Sequence, residues 1–109
     1  MEKYLKVFKA LSDDSRLRIV KMLEVKSMCV CEITSIIGYA TATISNHLKI
    51  LKEAGLVVQE RSEKYINYSL NREDKAFIKE ALEFVERLKD KTFNADKHTA
   101  IGTNRTNIC

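Results

Sequence analysis

The chain has 109 residues, 45% of them hydrophobic, and no proline, enough for one core and too apolar for a disordered segment. Nineteen Lys and Arg against fifteen Asp and Glu leave a net charge of +4, which favours an anionic partner such as nucleic acid without requiring one. No apolar run approaches the roughly 18 residues of a membrane span, no secretory leader pattern opens the sequence, and three cysteines make no disulfide framework, so a cytoplasmic protein with reduced thiols and no membrane partner is expected.

Residues 2–11 bring Tyr4, Leu5, Phe8 and Leu11 to one face of a short amphipathic helix. Ser12 is the expected N-cap of a second helix, with Asp13 and Asp14 in its first turn and Leu17, Val20 and Leu23 as its stripe, ending near Val25. A third helix over 30–37 turns Val30, Ile33 and Ile37 inward and stops at Gly38, a left-handed cap. Thr41 through Ala54 repeat apolar residues at Ile44, Leu48 and Leu51 up to Gly55, completing a helix-turn-helix.

From Leu56 to Leu70 the pattern changes to two segments rich in Val, Ile and Tyr around Ser62-Glu63-Lys64, which predicts a hairpin. Residues 72–91 return to helical spacing with Ile78, Leu82, Val85 and Leu88 on one side, widened by Phe77, Ala81 and Phe84. So wide a face asks for a partner. Residues 92–109 show no sustained period and are expected to form a flexible tail after a 1–91 domain.

With about 100° per residue, the apolar face of the 41–54 helix leaves Ala42, Asn46, Lys49 and Glu53 opposite, flanked by Thr43 and Ser45, with Thr41 at its start. Short polar side chains at a helix N-terminus can approach base edges and phosphates closely, and Asn46 suits adenine readout. Arg61 and Lys64 on the hairpin are placed to reach phosphates, partly opposed by Glu60 and Glu63. His47, at the edge of the apolar face, suits a phosphate contact or a packed ring bonded to backbone. Arg16 and Arg18 offer backbone contacts, although arginines on a helix surface are commonly plain solvated charges.

Cys29 and Cys31, in Met28-Cys29-Val30-Cys31-Glu32-Ile33, lie just upstream of this helix. Two thiols one residue apart can chelate a soft ion, form a redox couple, or fill space as buried small residues. No phosphate loop, Ser-His-Asp set or paired carboxylates accompany them, so an enzyme is not expected.

Three stretches together resemble the ArsR/SmtB family of winged helix-turn-helix repressors: Phe8-Lys9-Ala10-Leu11-Ser12-Asp13-Asp14-Ser15-Arg16-Leu17-Arg18-Ile19-Val20, the Met28–Ile33 segment, and Thr43-Ile44-Ser45-Asn46-His47-Leu48-Lys49-Ile50-Leu51-Lys52-Glu53-Ala54-Gly55-Leu56-Val57. The resemblance implies a mostly helical α+β fold, a winged helix-turn-helix with N- and C-terminal dimerisation helices. It also implies a homodimer on double-stranded operator DNA, with no permanent cofactor and release by a metal or metalloid ion.

Family members with a Cys-Val-Cys segment include sensors of As(III) and Sb(III) and sensors of cadmium and lead. The cadmium and lead type adds thiols near its N-terminus, and here no cysteine precedes Cys29. The arsenical type often has a third cysteine three residues beyond the pair, where this chain has Thr34, so Cys109 is the one further thiol that could complete three sulfurs around As(III) or Sb(III). The family's zinc site on the last helix is disfavoured, because Asp74 is followed by Ala76 at the relevant spacing and residues 72–91 contain no histidine.

On a regular helix Cys29 and Cys31 point about 200° apart. Chelation is therefore expected to unwind the helix start and misplace the DNA-reading helix. Cadmium or lead sensing, thiol-redox sensing and an unregulated architectural DNA binder are the alternatives.

Overall fold

The computed structural model describes residues 1–73 and 76–104. Asp74 and Cys109, named above as candidate ligand positions, lie outside them. Among the described residues nine elements follow in order: α1 (Glu2–Leu11), α2 (Asp14–Leu23), β1 (Met28–Cys29), α3 (Val30–Ile37), α4 (Thr41–Glu53), β2 (Val57–Ser62), β3 (Tyr65–Leu70), α5 (Phe77–Glu86) and α6 (Lys91–Gly102). The order and the three-stranded antiparallel sheet make a winged helix-turn-helix, as expected.

Ile44, Leu48 and Leu51 of α4 are fully buried and meet Ile19, Val20 and Met22 of α2 and Ile33 of α3 in one core. Gly38 (φ 90°) and Gly55 (φ 86°) end α3 and α4 in the left-handed region that glycine enters without strain. The hairpin pairs Val57 with Leu70 through Ser62 with Tyr65. Glu63 at its tip takes φ 54°, a conformation uncommon outside glycine.

Four expectations about the elements are corrected. The N-cap of α2 is Asp13, which accepts the Arg16 N–H at 3.0 Å, whereas the Ser12 hydroxyl donates back to the Phe8 carbonyl at 2.7 Å. A carboxylate carries more negative charge to the positive helix end than a hydroxyl does. In α1 the buried residues are Val7 and Ala10, while Tyr4, Leu5 and Phe8 are 49%, 44% and 57% exposed. The small side chains let α1 lie close to α2 and α4, and Phe8 lines an open groove.

The helix expected over 72–91 is shorter, α5 spanning Phe77–Glu86 and leaving Leu88 beyond its end. α5 ends at Glu86, where the buried Lys21 ammonium donates to the carbonyls of Val85, Glu86 and Leu88 at 2.9, 3.2 and 3.1 Å. A cation against the last carbonyls is a favourable helix stop. The tail expected to be flexible from residue 92 is helical through residue 102, as part of α6, which is capped by the Asp90 carboxylate and docked on α2 and α3.

The docking of α6 is mainly polar, which explains why no apolar period announced it. Asp96, 5% exposed, accepts two bonds from the Arg18 guanidinium at 2.8 and 2.9 Å. Lys97 meets Glu24 at 2.7 Å, Glu24 lies 3.2 Å from Lys21, and the Lys21 ammonium stands 5.4 Å from the Phe93 ring centroid. Ala100 is the one buried apolar residue of the helix.

Candidate nucleic-acid interface and thiol site

α4 turns Thr41, Thr43, Ser45, Asn46 and Lys49 to solvent along the face opposite its buried stripe. No acidic residue lies in its first turn and the N-cap, Ala40, has no side chain to occupy the free N–H groups. That end carries the positive pole of the helix dipole. Arg61 and Lys64 are exposed on the hairpin, and Lys64 stands 5.4 Å from the Tyr65 ring centroid. These residues are exposed on α4 and on the wing, where the exposed Glu53, Glu60 and Glu63 partly oppose their positive charge.

His47 departs from that group. Its side chain is 14% exposed, and its Nδ1 lies 3.3 Å from Arg16 Nη1 and 4.0 Å from Asp13 Oδ2. Arg16 and Arg18 are likewise engaged within the protein, Arg16 with α1 carbonyls and Arg18 with Asp96. The Asp96 hydrogen bonds raise the Arg18 guanidinium further above its ordinary value, against the opposing effect of burial.

At the thiol site, Cys29 is not part of a regular helix. It ends β1, pairs with Asn67 of β3, and serves with extended backbone (φ −90°, ψ 167°) as the N-cap of α3. Together with Glu32 it makes a capping box, the Glu32 carboxylate accepting the Cys29 N–H at 3.1 Å and the Cys29 side chain facing the Glu32 N–H in return. The other Glu32 oxygen is 3.6 Å from Lys26, whose ammonium also donates to the Thr103 carbonyl at 2.9 Å.

The about 200° separation expected for two helical positions therefore does not apply, because one thiol lies outside the helix and the other in its first turn. Cys29 is 4% exposed and free, whereas Cys31 is half-buried and disulfide-bonded, so the pair is not the two reduced thiols expected. Among the described residues no three His, Cys, Asp or Glu side chains gather as a metal cage. Two cysteine sulfurs at one helix start suit a soft thiophilic ion and not a hard one. The Thr34 hydroxyl, one turn beyond Cys31, is buried without a hydrogen-bond partner.

Sequence reasoning missed β1, Glu32, Lys26 and the Arg16–His47 contact. The Cys29-x-x-Glu32 spacing is that of a capping box and signalled the second; a two-residue strand and contacts 31 residues apart leave no local pattern.

The model of bacterial regulatory proteins of the arsR family matches residues 13–58. A cadmium resistance transcriptional regulatory protein CadC homolog from Staphylococcus aureus is 42% identical over 80 residues, covering 67% of this chain and 66% of that protein, just under two thirds of its length. The arsenical resistance operon repressor of Bacillus subtilis is 37% identical over 75 residues, covering 68% of this chain and 71% of the repressor. Among solved structures, a homodimeric winged helix-turn-helix DNA-binding domain from Mycobacterium bovis superposes with a TM-score of 0.69 at 28% identity, over 89% of this chain and 82% of that one. These proteins are transcriptional regulators rather than enzymes, and this chain belongs to the bacterial ArsR family.

Proposed function

We propose that the protein is a repressor that binds double-stranded operator DNA as a homodimer and leaves it when As(III) or Sb(III) binds Cys29 and Cys31, with Cys109 as third sulfur. One observation carries this reading: Cys29 is at once the end of β1, the partner of the wing strand β3 and the cap of α3. An ion that draws its sulfur towards Cys31 would pull on a residue whose backbone is held in both the strand and the helix start. α3 leads through Gly38 into α4, so the wing and the reading helix would be displaced together.

On the DNA side, Thr41, Thr43, Ser45, Asn46 and Lys49 of α4 would enter the major groove while Arg61 and Lys64 meet phosphates. His47 would contribute through Nε2, its Nδ1 lying 3.3 Å from Arg16 Nη1. An apolar groove of about 430 Å³ between α1, α2 and α5, lined by Phe8, Leu11, Leu17, Phe77, Phe84 and Leu88, is the surface offered to the second copy; a similar solved domain is homodimeric.

Two observations favour a second reading each. The cadmium-resistance relative is the more similar of the two quoted, which supports cadmium or lead as effector. The disulfide at Cys31 supports a redox response, and for either ion the thiol must first be reduced.

The test is release from a duplex that the reduced wild-type protein selects from a randomised pool. Arsenite and antimonite should release it, whereas zinc should not, and Cys29→Ser or Cys31→Ser should bind DNA yet resist release. Cys109→Ser should raise the arsenite concentration needed. Release by cadmium and lead alone would favour that ion class, and release by peroxide alone would favour redox sensing. No response to any of them would overturn regulation through these thiols.

A further inference from the structure

We propose that Arg16 is a positioning residue for DNA binding: it clamps the C-terminal end of α1 to His47 of α4 and so sets where the reading helix lies, without touching DNA itself. The inference rests on the DNA-binding reading above and adds a residue that reading does not use.

The geometry is that of a three-way bracket. Arg16 Nε donates to the Ala10 carbonyl at 2.8 Å and Nη2 to the Lys9 carbonyl at 3.3 Å, so two donors of the planar guanidinium are spent on the last turn of α1. Nη1 lies 3.3 Å from His47 Nδ1. Because a guanidinium has no acceptor, a hydrogen bond between the two uses Nδ1 as the acceptor, the tautomer that carries the ring proton on Nε2. The backbone N–H of Arg16 is held at 3.0 Å by Asp13, whose Oδ2 is also 4.0 Å from the ring. One side chain thus joins the end of α1, the start of α2 and the middle of α4.

α1 has two sides that matter here. Val7 and Ala10 are buried in the core and α1 packs on α4, while Phe8 opens on the apolar groove beside Phe77 at 5.8 Å between ring centroids. A tilt of α1, such as the one that covering the groove would impose, reaches α4 through Arg16 and His47. His47 follows Asn46 directly and stands one turn beyond Thr43, so its displacement moves the polar face that would read DNA. An arginine serving a phosphate would keep its fork free for that anion; this one has directed each of its three nitrogens inward.

Arg16→Lys isolates the claim, because it keeps the charge and removes the fork: one ammonium cannot span the α1 carbonyls and the imidazole together. The probe is a duplex selected from a randomised pool by the wild-type protein, and each variant's affinity is referred to its active fraction by stoichiometric titration. Arg16→Lys and His47→Ala should each bind about tenfold more weakly, with the double variant no weaker than the worse single one within about twofold. The slope of log affinity against log salt should match the wild type.

A slope shallower by about 0.9 in Arg16→Ala would mean a lost phosphate contact and would overturn the inference. So would wild-type affinity in Arg16→Lys, or additive losses in the double variant. A wild-type protein that enriches no duplex would overturn the DNA-binding reading, and this inference with it.

Discussion

Helices α5 and α6 follow one another in the chain, both lie against the rest of the protein, and opposite interactions hold them there. α5 buries Ile78, Leu82 and Val85 at 2–3% exposure each. α6 buries Asp96 and Ala100 and depends on Arg18–Asp96 and Lys97–Glu24. Apolar burial is non-directional and scales with area, whereas an ion pair contributes only in one geometry and loses most of its gain to desolvation. α5 should therefore share the global stability of the fold, and α6 should open on its own.

The sharpest break of the pairing is Leu82→Ala. It should cost about 3 kcal/mol of global stability, through lost burial and a residual cavity, and urea unfolding should show a lower midpoint with an unchanged slope. Asp96→Ala should act locally. Amide protection across 91–102 should fall by about 1–2 kcal/mol while that of α5 stays near the wild type. Loss of protection in both helices together would show that they form one cooperative unit.

The smallest effect is that of salt. Lys97 is 31% exposed in its pair with Glu24, so 1 M NaCl should weaken α6 docking by a few tenths of a kcal/mol. Alkali discriminates further. Asp96 raises the Arg18 guanidinium, and a base raised by folding contributes in full below its unfolded value and is lost only as pH passes the folded one. On the arginine side the docking persists through neutral pH and fails only in strong alkali.

The same contrast explains what could be read in advance. Ile44, Leu48 and Leu51 recur at helical spacing, and Gly38 and Gly55 punctuate the chain where a left-handed residue is needed, so the helix-turn-helix and hairpin were legible. In α1 the period was real but its direction was not: Tyr4, Leu5 and Phe8 read as a core face and are instead exposed, Phe8 on a groove. α6 has no period because its partners are charges 73 and 78 residues away.

At the site, the exposed face of α4 was legible from angle alone. The constraint on Cys29 was not, because a two-residue strand and an N-cap made by cysteine leave little trace in local sequence. Nor was the engagement of Arg16 and His47, which are 31 residues apart.

The central claim is that the thiol site and the DNA surface oppose one another through Cys29. The most direct test measures arsenite affinity of the reduced protein with and without a saturating selected duplex, alongside duplex affinity with and without saturating arsenite. The account predicts that each ligand weakens the other by the same factor, about 5- to 150-fold, and that Cys29→Ser abolishes the effect. Full arsenite binding with unchanged DNA affinity would contradict it.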